Sequence, residues 1–228
     1  MKKLNRALLG LFTAAALMLT GCQGQSSGNG SFADQVDHKI TGIDPGSGEM
    51  KLTENKVMKD YGLDDWTLQS GSESTMTASL DKAIKNKKPI VVTGWTPHWM
   101  FQKYHLKYLK DPKGDYGKEE EIHTIIHKGF AKKDPNATKL LDQFKWAPKD
   151  MEEVMLSIQN GAEPKQAAAK WIKKNKSKVS QWTQGVSKVN GKKITLGYVA
   201  WSSEIASTNV IGKILSDRGY HVLSLIHI

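Results

Sequence analysis

Apolar positions along the chain fall into two spacings, and the two alternate in a fixed order. Short apolar runs at 40–43, 66–68 and 90–92 predict strands, the last of them, Ile90-Val91-Val92, a short buried one. Between them apolar residues recur at helical spacing over 50–61 and 74–86. Met76, Leu80, Ala83 and Ile84 are expected to face inward on the second helix, and Gly62 is expected to stop the first. This β-loop-α-β-α-β order predicts an α/β unit. Farther on, Pro135, Pro148 and Pro164 open helix-spaced stretches at 135–144, 148–159 and 164–174, a position where proline suits a first turn. Leu140, Leu141, Phe144, Val154, Met155, Ile158, Trp171 and Ile172 recur on them, so Trp146 and Trp171 read as packing residues. Between these regions, 122–130 reads as a crossing segment, with Ile125-Ile126 as strand or buried packing.

The opening pattern then returns. A strand over 193–201 leads through Ser202-Ser203-Glu204 into a helix over 205–218, stopped at Gly219, with another apolar run from Tyr220. Met58-Lys59-Asp60-Tyr61-Gly62 parallels Leu215-Ser216-Asp217-Arg218-Gly219. Two similar units predict two related lobes facing one another across a cleft.

The N-terminus has a different pattern. Lys2, Lys3 and Arg6 precede an apolar run, 7–19, that is too short to span a bilayer and reads as a signal peptide. It ends in Leu19-Thr20-Gly21-Cys22, which resembles a bacterial lipoprotein signal with Cys22 as the lipidated first residue. Cys22 is the only cysteine, which excludes an internal disulfide and a cysteine-rich metal site. The polar Gln23–Ser31 stretch reads as a flexible tether. The expected organisation is a signal peptide at 1–21, a tether at 22–38, a first α/β lobe at 39–118, and a helical segment with the start of a second lobe at 119–228.

Composition narrows the chemistry. With 39% hydrophobic residues in 228, the chain can bury a sizeable core. The formal charge of +10 comes from basic residues scattered among 23 acidic ones, with no basic block, so nucleic acid is not an expected partner. Seven tryptophans are the unusual feature. Two of them, Trp95 and Trp99, follow the strand at 90–92 in Thr93-Gly94-Trp95-Thr96-Pro97-His98-Trp99, and in α/β proteins ligands bind beyond the carboxyl ends of strands. Pro45-Gly46-Ser47-Gly48 is a glycine-rich turn feeding a helix, whose free N–H groups suit a small carboxylate; a structural turn explains it nearly as well. Neither a P-loop Lys-Ser/Thr nor a full GxGxxG is present, which disfavours nucleotides. His105, His123 and His127 lack an acidic partner motif and read as ordinary residues. Glu152-Glu153 reads as a solvated helix face, and no cofactor is expected.

Three stretches carry a family resemblance: Gly42-Ile43-Asp44-Pro45-Gly46-Ser47-Gly48, Thr93 through Met100, and Tyr198-Val199-Ala200-Trp201-Ser202-Ser203-Glu204 onward to Lys213. Together they resemble the glycine betaine-binding lipoproteins of bacterial ABC importers. The resemblance implies a two-lobed, type II periplasmic-binding-protein fold in circularly permuted order. It implies a tryptophan cage for the trimethylammonium group, with Trp95 and Trp201 as two walls, and backbone amides of Gly48 and Glu49 for the carboxylate. A quaternary ammonium cannot donate hydrogen bonds, so indole faces are its natural host. The implied partners are glycine betaine or a related betaine, an ABC permease, and a membrane reached through lipid on Cys22. Trp99 is expected to pack beneath the turn, and His98 has no assigned role. The family continues past Val222 with a third cage tryptophan and a carboxylate-binding histidine, whereas Leu223-Ser224-Leu225-Ile226-His227-Ile228 does not resemble it, so the second lobe is expected to be incomplete. Two other readings compete, a surface hydrolase and a structural lipoprotein without a small ligand. The hydrolase lacks a GxSxG or a dense His/Asp cluster.

Overall fold

The computed structural model describes residues 30–226; the apolar run 7–19 and Cys22 lie outside the described residues. The described chain opens with a single helical turn, α1 (Phe32–Gln35), inside the stretch expected to be tether, capped by Ser31 and Asp34 in a reciprocal box. Strand β1 (Lys39–Thr41) follows, then α2 (Gly48–Leu52), a π-helical stretch (Thr53–Val57) and α3 (Met58–Asp60) in succession. Gly62, at φ 63°, ends this run in the left-handed conformation glycine tolerates. Strand β2 (Thr67–Gln69), α4 (Glu73–Lys85), β3 (Val91–Val92) and α5 (Met100–Lys103) complete the first unit. The sheet is parallel throughout, in the order β2-β1-β3, with Ile40 opposite Leu68 and Val91.

Residues 104–129 carry turns but no helix or strand, and then come α6 (Phe130–Lys133), α7 (Pro135–Gln143), α8 (Pro148–Gln159), α9 (Pro164–Lys174) and α10 (Lys176–Trp182). The three proline-led helices begin at the prolines, where the missing N–H belongs to the unpaired first turn anyway. Asp134 also caps α7, accepting from the Ala137 N–H. Strand β4 (Lys193–Tyr198), α11 (Ser202–Asp217) and β5 (His221–Ile226) form the returning unit, with β4 and β5 parallel. Gly219 turns the chain between α11 and β5 at φ 90°; a Cβ there would lie 1.9 Å from the Val189 carbonyl oxygen, so only glycine fits.

One continuous core joins Ile43, Met76 and Trp99 to the faces of α8, α9 and α11. Trp171 stacks on Trp182 at 5.7 Å, and Trp146 meets Trp171 edge-on at 5.6 Å. These tryptophans pack, as the helical spacing of Trp146 and Trp171 implies, and Trp99 lies buried beneath its turn.

The structure corrects several expectations. Ile84 is exposed on α4 while Met76 and Leu80 are buried, because the buried stripe ends before the last turn of this surface helix. Ile125 is 90% exposed and, like Ile126, lies outside any strand, since the segment 104–129 runs over the surface. Val91 and Val92 are half-buried, because β3 lies at the edge of its sheet and, among the described residues, pairs only with β1. The short helices α5, α6 and α10 carry too few apolar residues to announce themselves by periodicity.

Candidate functional site

The side chains of interest follow the carboxyl ends of parallel strands. Asp44, Gly48 and Glu49 follow β1, Glu73 follows β2, Trp95 and His98 follow β3, and Trp201 with Ser202 follows β4. Within each sheet parallel strands present this end on one side, and the Trp95–Trp201 and Glu73–Ser202 contacts join the ends of the two sheets.

Trp95 and Trp201, both half-buried, face one another with ring centroids 6.4 Å apart and planes tilted by 51°. Each is held by a neighbour. The Trp201 indole N–H donates to Asp44 Oδ2 at 3.0 Å, tying the start of α11 to the loop after β1. Trp95 packs edge-on against the imidazole of His98 at 4.7 Å, in the loop containing the cis Thr96-Pro97 peptide.

The turn after β1 is capped by Ser47, whose side chain accepts from the Met50 N–H. The N–H groups of Gly48 and Glu49, first and second in α2, have no internal acceptor among the described residues. They therefore stand as the unpaired donors of a helix N-terminus. The Glu49 side chain turns toward the tryptophan loop, where Oε1 accepts from the Gly94 N–H at 2.7 Å and Oε2 is buried without a partner. Burial pushes the Glu49 carboxyl above its ordinary range, with the Gly94 hydrogen bond opposing. Burial likewise pushes the Tyr108 and Tyr116 phenols up, and the nearby Glu49 charge adds to both. Tyr108 stacks on Phe101 at 4.6 Å and shares a hydrogen bond with Thr96, while Tyr116 shares one with Thr53.

Behind the tryptophans lies a buried polar bridge. His98, fully enclosed, accepts the Met100 N–H at Nδ1 (3.1 Å) and lies 3.0 Å from Glu73 Oε1 through Nε2. The other Glu73 oxygen accepts from the Ser202 N–H at 2.9 Å. A cleft of about 500 Å³ is lined by Glu73, Asp81, Lys85, Trp99, Lys103 and Ser202 among others, and neither Trp95 nor Trp201 borders it.

The structure thus brings Trp95, Trp201 and Glu49 into one region, with Gly48 at the helix start beside Glu49; Cys22 lies outside the described residues. Sequence reasoning missed Glu73, Asp44, Tyr108 and Tyr116 and left His98 unassigned. Asp44 was within reach, since it stands in the same glycine-rich turn as Gly48. Glu73 reads locally as an ordinary acidic residue in a helix first turn, and its partners come from other elements. Among the described residues there is no group of three or more His, Cys, Asp or Glu that could hold a metal.

Comparison with known proteins points in one direction. Residues 23–174 match the family described as the substrate binding domain of ABC-type glycine betaine transport systems. Over 189 residues the chain is 55% identical to the glycine betaine/carnitine transport binding protein GbuC of Listeria monocytogenes serotype 1/2a (strain 10403S). That alignment covers 82% of this chain and 63% of the relative, so the chain spans a little under two thirds of the relative's length. Among solved structures it resembles lactococcal OpuAC in its closed, glycine betaine-bound conformation, at 52% identity and a TM-score of 0.62, covering 66% of this chain and 59% of that one. It also resembles an ABC-transporter choline binding protein in complex with choline, at 27% identity and a TM-score of 0.60, covering 79% of this chain and 61% of that one.

Proposed function

The chain belongs to the family of substrate-binding domains of ABC-type glycine betaine transport systems, and on that premise we propose that it captures glycine betaine or a related quaternary ammonium compound for import. The family is one of transport binding proteins and not of enzymes, and the mixed α/β architecture is that of type II periplasmic binding proteins. The observation that carries the ligand proposal is the pair of indoles, Trp95 and Trp201, facing at 6.4 Å from two different units. A trimethylammonium group carries its charge on methyl surfaces that no hydrogen-bond acceptor can grip, whereas a ring face attracts it through the quadrupole. Each such contact contributes roughly 0.5–2 kcal/mol, so walls from both units are needed for useful affinity. The unpaired Gly48 and Glu49 amides supply donors of the kind a carboxylate takes.

In this reading 39–118 forms the first lobe and 119–228 contributes to the second. Closure of one on the other presents the loaded form to an ABC permease. Substrate-binding proteins of ABC importers work outside the cytoplasm; attachment to the membrane through lipid on Cys22 is part of the proposal, supported by Leu19-Thr20-Gly21-Cys22. Among the described residues no helix is long and apolar enough to cross a membrane.

Titration with glycine betaine, followed by intrinsic tryptophan fluorescence, tests the proposal. The expected result is a saturable change that weakens roughly tenfold or more in Trp95→Ala, the loss of one cation–π wall and its packing. A chain that shows no response, or a variant that binds as the parent does, overturns it.

A further inference from the structure

We propose that Glu73 and His98 are positioning residues, a buried hydrogen-bonded latch that holds the Trp95 loop and the Trp201 helix start face to face. The latch is defined by donors and acceptors on three elements. A backbone N–H can only donate, so the Met100 amide pointing at His98 Nδ1 makes that nitrogen the acceptor and leaves the proton on Nε2. His98 Nε2–H therefore donates to Glu73 Oε1, and the Ser202 N–H donates to Oε2. Both carboxylate oxygens are engaged, one by each unit.

Energetics make this bridge directional. The Glu73 side chain is 7% exposed and His98 is not exposed at all. A carboxylate in such a place is tolerated only while hydrogen bonds replace its water. Glu73 opens α4 and faces the first residue of the 16-residue α11, so two helix N-termini turn their positive ends toward its charge. Moving Ser202 away would strand Oε2 without a donor. Ser202 follows Trp201 directly, and His98 packs edge-on against Trp95. Any displacement that breaks the bridge therefore moves a wall of the indole pair. The Asp44 contact to the Trp201 indole is a second tie on the same wall and does not reach Trp95. The latch stands on geometry alone, while its effect on ligand affinity rests on the cage proposed above.

Ser202→Pro is the cleanest perturbation. It deletes the one N–H, at a first helical position that proline occupies readily, behind Trp201 at ψ 149°, which a following proline permits. The readout is the circular-dichroism couplet of the Trp95–Trp201 pair, isolated by subtracting spectra of Trp95→Phe and Trp201→Phe. The expected result is loss of most of the couplet with the 222 nm helical signal retained. His98→Gln, whose amide can reach the place of Nε2, keeps the couplet; His98→Asn, which can serve Met100 but not Glu73, loses it. A purely structural histidine would give the opposite order. For glycine betaine, Ser202→Pro raises Kd about tenfold or more, the effect of losing one charge-assisted hydrogen bond. An intact couplet in Ser202→Pro, or equal couplets in the two His98 variants, overturns the latch. Couplet changes as expected in a parent chain that ignores glycine betaine leave the latch standing and overturn the cage.

Discussion

Replacing Glu49 by glutamine should stabilise the protein at neutral and alkaline pH and do almost nothing in acid. Oε1 accepts from the Gly94 N–H at 2.7 Å, a role the glutamine carbonyl can keep. Oε2 is buried with no partner, so the ionised carboxylate carries charge into a site that half satisfies it. The carboxyl is accordingly pushed above its ordinary 4.5 by burial. The sign follows from proton linkage. Where the folded state holds the proton more tightly than the unfolded state, stability is full below pH 4.5 and declines as pH rises through the raised value. The glutamine NH2 that takes the place of Oε2 is equally unpaired, so the variant removes only the charge. An incompletely paired buried charged group costs at least about 1–3 kcal/mol, and because Glu49 is only half-buried the low end, about 1 kcal/mol, applies. At this chain length that corresponds to a Tm about 2–4 °C higher for Glu49→Gln at pH 8, shrinking toward zero near pH 4. Thermal melts followed at 222 nm across that range measure it. Burial also pushes Glu204 up, with the Ser203 hydroxyl opposing, so the parent has a pH slope of its own and the difference between the two proteins is the quantity to read. A pH-independent difference, or a lower Tm for the variant at pH 8, would refute the reasoning.

Other expectations follow from single contacts. Gly219→Ala places a methyl 1.9 Å from the Val189 carbonyl in a left-handed residue, so β5 cannot dock as seen; a loss of roughly 3 kcal/mol or more is expected from urea melts. Asp134, although burial alone would push it up, is held below its ordinary 3.8 by the Ala137 N–H, Lys192 and the Tyr220 hydroxyl. Asp134→Ala should therefore cost about 3 kcal/mol at pH 7, a deficit that narrows as pH falls below 3.8, where the parent's carboxylate protonates and its own advantage is lost. A deficit that stays constant in acid would show that packing, and not the charge, is what Asp134 supplies.

Much of the architecture could be read from local pattern because local physics sets it. Pro135, Pro148 and Pro164 open helices since their missing N–H groups fall where none is needed, and Gly62 and Gly219 end two other helices, α3 and α11, in conformations other residues resist. The parallel between the units beginning at β1 and β4 is also local, each being strand, polar loop, helix and glycine stop. Burial was less legible. Ile84 and Ile125 are apolar in sequence yet exposed, because which apolar residues are covered depends on neighbouring elements. The candidate site divides in the same way. Trp95 stands out as an aromatic on a strand-to-helix turn, but that His98 and Glu73 connect its loop to Ser202 depends on three elements meeting, which no spacing records. Trp146, Trp171 and Trp182 pack against one another and add a background to the fluorescence titration, so its ligand response is assigned to the site by its weakening in Trp95→Ala.

The central claim is that indole faces bind a cation for its charge. Calorimetric titration of this chain with glycine betaine and with 3,3-dimethylbutanoate tests it most directly, since the second has the same shape and carboxylate with a carbon in place of the charged nitrogen. The account predicts that the carbon isostere binds at least about tenfold more weakly, the share that cation–π attraction supplies. Equal affinity for the two would contradict it.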